Sequence, residues 1–256
     1  MKAVSVHEDA IVVTSLMWQT TATAIRAGGE TMLIDSPYFP EELELLPAVL
    51  AQSGFKPTAL LATHGDFDHL LAPFAFPGMS LGLAESTMAR IRAKPGEAQR
   101  ELRDEDSDTY VTRPRPLGLG QAQALPVPGK LGLGEEDLEL HPTAGHVDDG
   151  MAILAPWLGV LCVGDYLSDL EIPWLHESGD LESYRGTLAR LAGLVARAEV
   201  IVPGHGSPHT RERALELIDE DVEYLDELER GGDALPEGRD TKAQRSIHAE
   251  NLGRLA

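Results

Sequence analysis

The sequence predicts an α+β chain, with strands and helices mixed along its length. Three observations carry that expectation. The opening residues read as short paired strands around tight turns. Further on, apolar runs of strand length alternate with segments whose apolar residues recur at helical spacing. Several of the apolar runs also end abruptly in a His or an Asp. A length of 256 residues suits one large domain or two small ones and can bury a substantial core.

In chain order, residues 4–6 and 11–18 read as two strands around a turn at His7-Glu8-Asp9-Ala10. Residues 21–26 and 31–35 follow, with Gly28-Gly29-Glu30 between them, and the spacing suggests a hairpin. Residues 41–52 carry Leu43, Leu46, Val49 and Leu50 at helical spacing, and Gly54 closes that helix. Ala59-Leu60-Leu61-Ala62 reads as a buried strand. A helical turn after His69 is expected to stop at Pro73. Residues 79–83 suggest a strand and 84–93 a helix. Residues 94–116 are highly charged and contain prolines, which fits a solvated surface helix and loop, or a lid or dimer contact. Residues 117–140 alternate apolar positions with Gly and Pro, as short strands and turns do. Residues 153–154 and 159–163 read as strands, 181–198 as a helix, 199–202 as a strand and 210–230 as a long amphipathic helix. The polar remainder, 231–256, reads as a C-terminal arm or a last short helix.

The densest chemistry lies in Thr63-His64-Gly65-Asp66-Phe67-Asp68-His69, directly after the buried run. Four metal-capable side chains fall within six positions: His64, Asp66, Asp68 and His69. In extended backbone His64, Asp66 and Asp68 share a face. His69 joins them only if the chain turns into a helix there. A solvated acidic loop is the alternative reading. The pattern recurs downstream, with His146, Asp165 and His205 each following an apolar run, and with a Gly immediately before both His146 and His205. Such a series suggests one ligand cluster at an edge of the sheets. Imidazole with carboxylate suits zinc, iron or manganese. Asp148, Asp149, Trp174 and His176 are candidate pocket residues, and His141 stands just upstream of His146. His7, His209 and His248 read as ordinary surface or core residues. Cys162, the one cysteine, sits inside an apolar run and reads as packing.

Composition narrows the function. Hydrophobic content of 43% and charged content of 25% are ordinary for a globular enzyme. A net charge of −21 argues against nucleic-acid backbones and anionic membranes. No apolar run approaches a membrane span, the first residues lack a signal-peptide core, and a lone cysteine permits no internal disulfide. A cytoplasmic protein acting on a small molecule is the expectation. A homodimer through the charged stretch or the long C-terminal helix is open.

Across residues 10–230 the chain resembles the metallo-β-lactamase-fold hydrolase superfamily. The marks are Asp35 after an early strand, the His64–His69 motif, Gly145-His146, Gly164-Asp165 and Pro203-Gly204-His205-Gly206. The resemblance implies a four-layer αβ/βα sandwich, two mixed sheets with helices outside, as a single domain over 1–256 with 231–256 as its arm. It implies two divalent ions, zinc first. His64 and His146 would bind one, Asp68, His69 and His205 the other, and Asp165 would bridge them. Asp35 would support the ligands from behind. The implied nucleophile is a metal-bridging hydroxide, oriented by Asp68. The usual motif is His-x-His-x-Asp-His, so Asp66 stands where a second His is expected. A carboxylate there shifts preference toward iron or manganese if Asp66 is a ligand; otherwise Asp66 is a base or a supporting partner.

The implied activity is metal-dependent hydrolysis of a small ester-like substrate: a thioester, lactone or phosphodiester. The nucleases of the superfamily carry basic surfaces and an inserted domain, which this acidic chain lacks. Its β-lactamases are exported. The basic residues that hold glutathione in its glyoxalase-like thioesterases are not evident. Two alternatives remain. A mononuclear iron dioxygenase of the persulfide dioxygenase type would use His64, His146 and Asp165, and a non-catalytic metal-binding protein would keep the ligands without turnover.

Overall fold

The computed structural model describes residues 1–255. One sheet is built from β1 (Lys2–His7), β2 (Ala10–Thr14), β3 (Thr21–Ala27), β4 (Glu30–Asp35), β5 (Ala59–Leu61), β6 (Leu81–Ala84) and β7 (Ala122–Leu125), side by side in chain order. Its first four strands are antiparallel and the rest join in parallel. The other sheet comprises β8 (Gly129–Leu133), β9 (Glu136–Pro142), β10 (Met151–Ala155), β11 (Val160–Gly164), β12 (Val200–Pro203) and β13 (His209–Thr210), in the order β13-β12-β11-β10-β9-β8. Only β11 and β12 pair in parallel there.

The helices are α1 (Pro40–Gln52), α2 (Ala72–Ala75), α3 (Glu85–Ala93), α4 (Glu97–Asp108), α5 (Leu181–Val195), α6 (Arg211–Glu229) and α7 (Lys242–Leu255). The strands alternate their side chains between two apolar cores. In β11, Val160 and Cys162 face the space between the sheets, while Leu161 and Val163 face α5 and α6. In β4, Met32 and Ile34 face inward, and Leu33 faces Leu43, Leu46 and Leu50 of α1. With both faces covered, all five β11 residues are buried, which explains its unbroken apolar run. Each such leucine contributes about 1.5–3 kcal/mol by leaving water. The layers are helix, sheet, sheet, helix, as the αβ/βα sandwich requires. Among the described residues, no helix is long and apolar enough to cross a membrane.

Three local expectations are corrected. β2 stops at Thr14 rather than near Trp18. The Glu42 carboxylate takes the Ser15 hydroxyl and the Leu16 amide, and Trp18 and Gln19 both adopt φ 49°, so a tight turn replaces the ladder. Pro73 does not end a helix. It lies in the first turn of α2, where its missing N–H costs nothing. The charged 94–116 stretch is more than a solvated surface. α4 buries Ala98 and Leu102 against the turn that follows His64, and Asp106 receives the Tyr38 hydroxyl at 2.9 Å and pairs with Arg113 at 2.7 Å.

The polar C-terminal segment holds a fourteen-residue helix, α7. Its fully buried side chains are polar, with Ile247 and Leu252 half-buried against the core beneath α5 and α6. Gln244 accepts from the Ile172 amide at 2.8 Å, and Asn251 accepts from the Leu175 amide at 2.9 Å and donates to the Pro173 carbonyl at 2.7 Å. Arg239, just before it, donates to the Glu171 carbonyl at 2.9 Å. The irregular 166–180 segment is thus held through its own backbone.

Candidate metal centre

Strand ends deliver the candidate residues to one edge of both sheets. β4 ends at Asp35, whose φ of 58° turns its side chain under the next strand end. Its carboxylate accepts the Thr63 amide at 2.8 Å and the Thr63 hydroxyl at 2.9 Å, and its Oδ2 stands 3.2 Å from His69 Nδ1. Asp66 is extended, and a 3-10 turn over Phe67–His69 follows. That turn supplies the helical bend His69 needs to join His64, Asp66 and Asp68. At the far side, the Thr21 hydroxyl donates to the Pro203 carbonyl at 2.6 Å and the Thr21 amide to Gly204, tying the two sheets together beside His205. Gly204 lacks a Cβ because one would collide with Asp165 and the His69 ring.

Two of the imidazoles have a far side fixed by a backbone carbonyl. His146 Nδ1 donates to the Trp174 carbonyl at 2.9 Å, and His205 Nδ1 to the Trp18 carbonyl at 3.2 Å. Both bonds leave Nε2 as the ring nitrogen directed inward, toward the carboxylates. There, His64, Asp66 and His146 form one group of converging donors and Asp68, His69 and His205 another. Asp165 lies between them. Its Oδ2 is 3.6 Å from His64, 3.4 Å from His146 and 3.4 Å from His205, and its Oδ1 is 3.1 Å from His69.

The charges on these groups reflect that crowding. Burial pushes the Asp66 carboxyl up, but the hydrogen bond with His146 and the nearby His64 imidazole outweigh this and hold it well below the usual range. Asp165 is likewise held down, burial being overcome by the surrounding imidazoles, His205 foremost. Burial opposes protonation of His146, yet Asp66 and Asp165 raise it to about 9. His69 and His205 are raised well above the ordinary imidazole range by neighbouring carboxylates, against the effect of burial.

The residues fit a metal. His64 Nε2, His69 Nε2 and Asp165 Oδ1 are buried without a hydrogen-bond partner. Buried polar atoms are normally satisfied, so these orphans mark places for a cation. Donors of imidazole and carboxylate suit zinc, iron or manganese.

The structure also sorts the weaker candidates. Asp149 is buried and bonded to Arg90, whereas Asp148 is exposed. The Trp174 and His176 rings lie 5.8 Å and 6.1 Å from that of His146. His141 pairs with Glu139 at 3.2 Å on β9, away from the donors. Cys162 is buried in the inter-sheet core, and burial pushes its thiol up to about 12, as packing demands. His209 and His248 are buried, His248 against the Tyr224 hydroxyl at 3.1 Å. Two participants escape sequence reasoning. Glu171, in the irregular segment, converges with Asp165 and His205. Arg90, on α3, reaches Asp66 at 2.8 Å. Neither sits at a strand end, and no spacing announces either.

Comparison with known proteins agrees with this architecture. A family model described as the metallo-beta-lactamase superfamily matches residues 17–77. No curated protein matches. Among solved structures, a metallo-beta-lactamase family protein from Thermus thermophilus is 22% identical over 98% of this chain and 93% of its own, with a TM-score of 0.70. A metallo-beta-lactamase from Pontibacter korlensis is 17% identical over 85% of this chain and 98% of its own, at a TM-score of 0.63. The chain has the metallo-β-lactamase fold.

Proposed function

We propose that this metallo-β-lactamase-fold chain is a metal-dependent hydrolase of a small ester-like substrate, a thioester, lactone or phosphodiester. The carrying observation is that Asp165 stands within 3.6 Å of all four inward imidazoles, with a carboxylate-bearing donor group on either side. His64, Asp66 and His146 would hold one divalent ion and Asp68, His69 and His205 the other, with Asp165 facing both. Zinc is the first expectation, with iron or manganese favoured by the carboxylate of Asp66. Bound there, such ions supply Lewis-acid polarisation of a carbonyl or phosphoryl oxygen and lower the pKa of water.

The chain's own groups do the rest. Trp174 and Trp18 carbonyls fix the His146 and His205 rings, and Asp35 stands behind His69. Arg90 holds Asp66 Oδ1, which leaves Oδ2, on the side of His146 and His64, as the oxygen that would face the ion, and Asp66 is read as a ligand rather than a base. Asp68 is then the carboxylate that orients water and carries the proton. Trp18, partly exposed with its ring 6.5 Å from that of His205, gives the centre an apolar neighbour for the substrate's non-reacting part.

The test is elemental analysis of the purified protein beside an Asp66→Ala variant, followed by a screen of thioesters, lactones and phosphodiesters. About two ions per chain, falling toward one in the variant, with turnover of one ester class, supports the reading. About one iron per chain, unchanged in the variant, together with oxygen consumption, would replace it with the iron dioxygenase built on His64, His146 and Asp165. Tight metal without turnover of any class would leave a metal-binding protein.

A further inference from the structure

Arg90 projects from α3 into the back of the ligand cluster, and its side chain is only 10% exposed. Its Nη1 lies 2.8 Å from Asp66 Oδ1 and 3.0 Å from Asp149 Oδ1, and its Nε lies 3.5 Å from Glu97 Oε2. The two oxygens of Asp66 are therefore divided. Oδ1 belongs to the guanidinium, and Oδ2 faces His146 Nε2 at 3.2 Å and His64 Nε2 at 3.6 Å. Asp149 follows His146 in the same loop, so one guanidinium ties the His64 loop to the His146 loop. Gly65 makes room for this. A Cβ there would press on the Asp149 carboxylate and approach the guanidinium. Chemistry favours an Arg in this place. It stays charged, and its Nη1 alone can donate to Asp66 and to Asp149 at once, holding the Oδ1 of each.

We propose that Arg90 is a positioning residue for the metal centre, turning Asp66 so that one oxygen faces the ion and offsetting the charge that a carboxylate brings to a position otherwise suited to neutral imidazole. The inference rests on reading Asp66 as a metal ligand. Asp66 and Arg90 then act as a unit. Without the guanidinium, Asp66 is free to rotate and two buried carboxylates, Asp66 and Asp149, lose their shared cation.

The test is a metal-affinity cycle on the full chain. Zinc or cobalt(II) is titrated against a chromophoric chelator for the parent, Arg90→Met, Asp66→His and the double variant, with circular dichroism confirming the fold. Arg90→Met is expected to weaken the more affected site by about tenfold or more, and Arg90→Lys to recover part of that loss. In the Asp66→His background the same Arg90→Met change is expected to cost less than about twofold, because the group it positions is gone. An equal loss in both backgrounds would show a general structural role and overturn the inference, as would no loss in either. If Arg90→Met does not fold, Arg90→Lys is read in the same two backgrounds. Asp66→Ala separates the underlying reading. Unchanged ion number and affinity in that variant would sink Asp66 as a ligand, whereas a loss there with Arg90→Met silent would sink only the role of Arg90.

Discussion

Arg239 donates to the Asp221 carboxylate at 2.6 Å, with both side chains buried, and the same nitrogen lies 2.9 Å from the Glu171 carbonyl. The pair therefore couples α6 to the segment that carries Glu171 and Trp174. Breaking a buried ion pair from one side leaves an uncompensated charge. Arg239→Met is expected to cost about 3–5 kcal/mol in urea unfolding. Arg239→Met with Asp221→Leu should recover much of that loss. A double variant as unstable as the single one would show that the carbonyl contacts, rather than the ion pair, carry the energy.

Asp35 holds the amide and hydroxyl of Thr63 while its Oδ2 stands behind His69. Asp35→Ala orphans a buried amide, an expected loss of about 1–3 kcal/mol. Asp35→Asn keeps the shape, and Asn tolerates the left-handed backbone found here. Its expected effect is on metal affinity, weakened about tenfold, with a smaller change in stability. Chelator competition and urea midpoints on the two variants check this division. A metal affinity unaltered in Asp35→Asn would count against a contribution from Asp35 to the ligand geometry.

The metal-free protein should depend on pH through His146. Asp66 and Asp165, working against burial, raise its folded pKa to about 9. A raised imidazole contributes stability that is fully present below its unfolded pKa of about 6.5. That contribution is lost as pH rises through about 9. Urea midpoints of chelator-treated protein should therefore fall between those limits, and the fall should shrink in Asp66→Asn. Metal uptake must displace the same proton, so the metal-free and metal-loaded proteins should diverge most at the alkaline end. A flat profile in chelator-treated protein would contradict the assignment.

The convergence of His64, Asp66, Asp68 and His69 is legible because it is local: a buried strand, an extended step and one turn place them together. Asp165 and His205 are legible because each follows an apolar strand, and strands buried on both faces leave unbroken apolar runs, whereas His146 follows the partly exposed β9 and is marked only by the Gly before it. Arg90 is illegible because its partners lie 24 and 59 positions away, beyond any local spacing. α7 is hard to read as an element for a different reason. Its buried side chains include Gln244, His248 and Asn251, so it shows no apolar stripe. The end of β2 is hidden from the sequence by distance, since Glu42, on α1, captures the Ser15 hydroxyl and the Leu16 amide from far along the chain.

The bonds from Asn251 to Pro173 and Leu175 flank Trp174, whose carbonyl fixes the His146 ring. Synthesis proceeds from the N-terminus. A growing chain thus exposes the His64–His69 motif long before the residue that steadies His146 has been made. Until Asn251 emerges, the nascent polypeptide carries the donors of the centre without their final alignment. The finished alignment of the His146 ring therefore waits on a residue made more than a hundred positions after it.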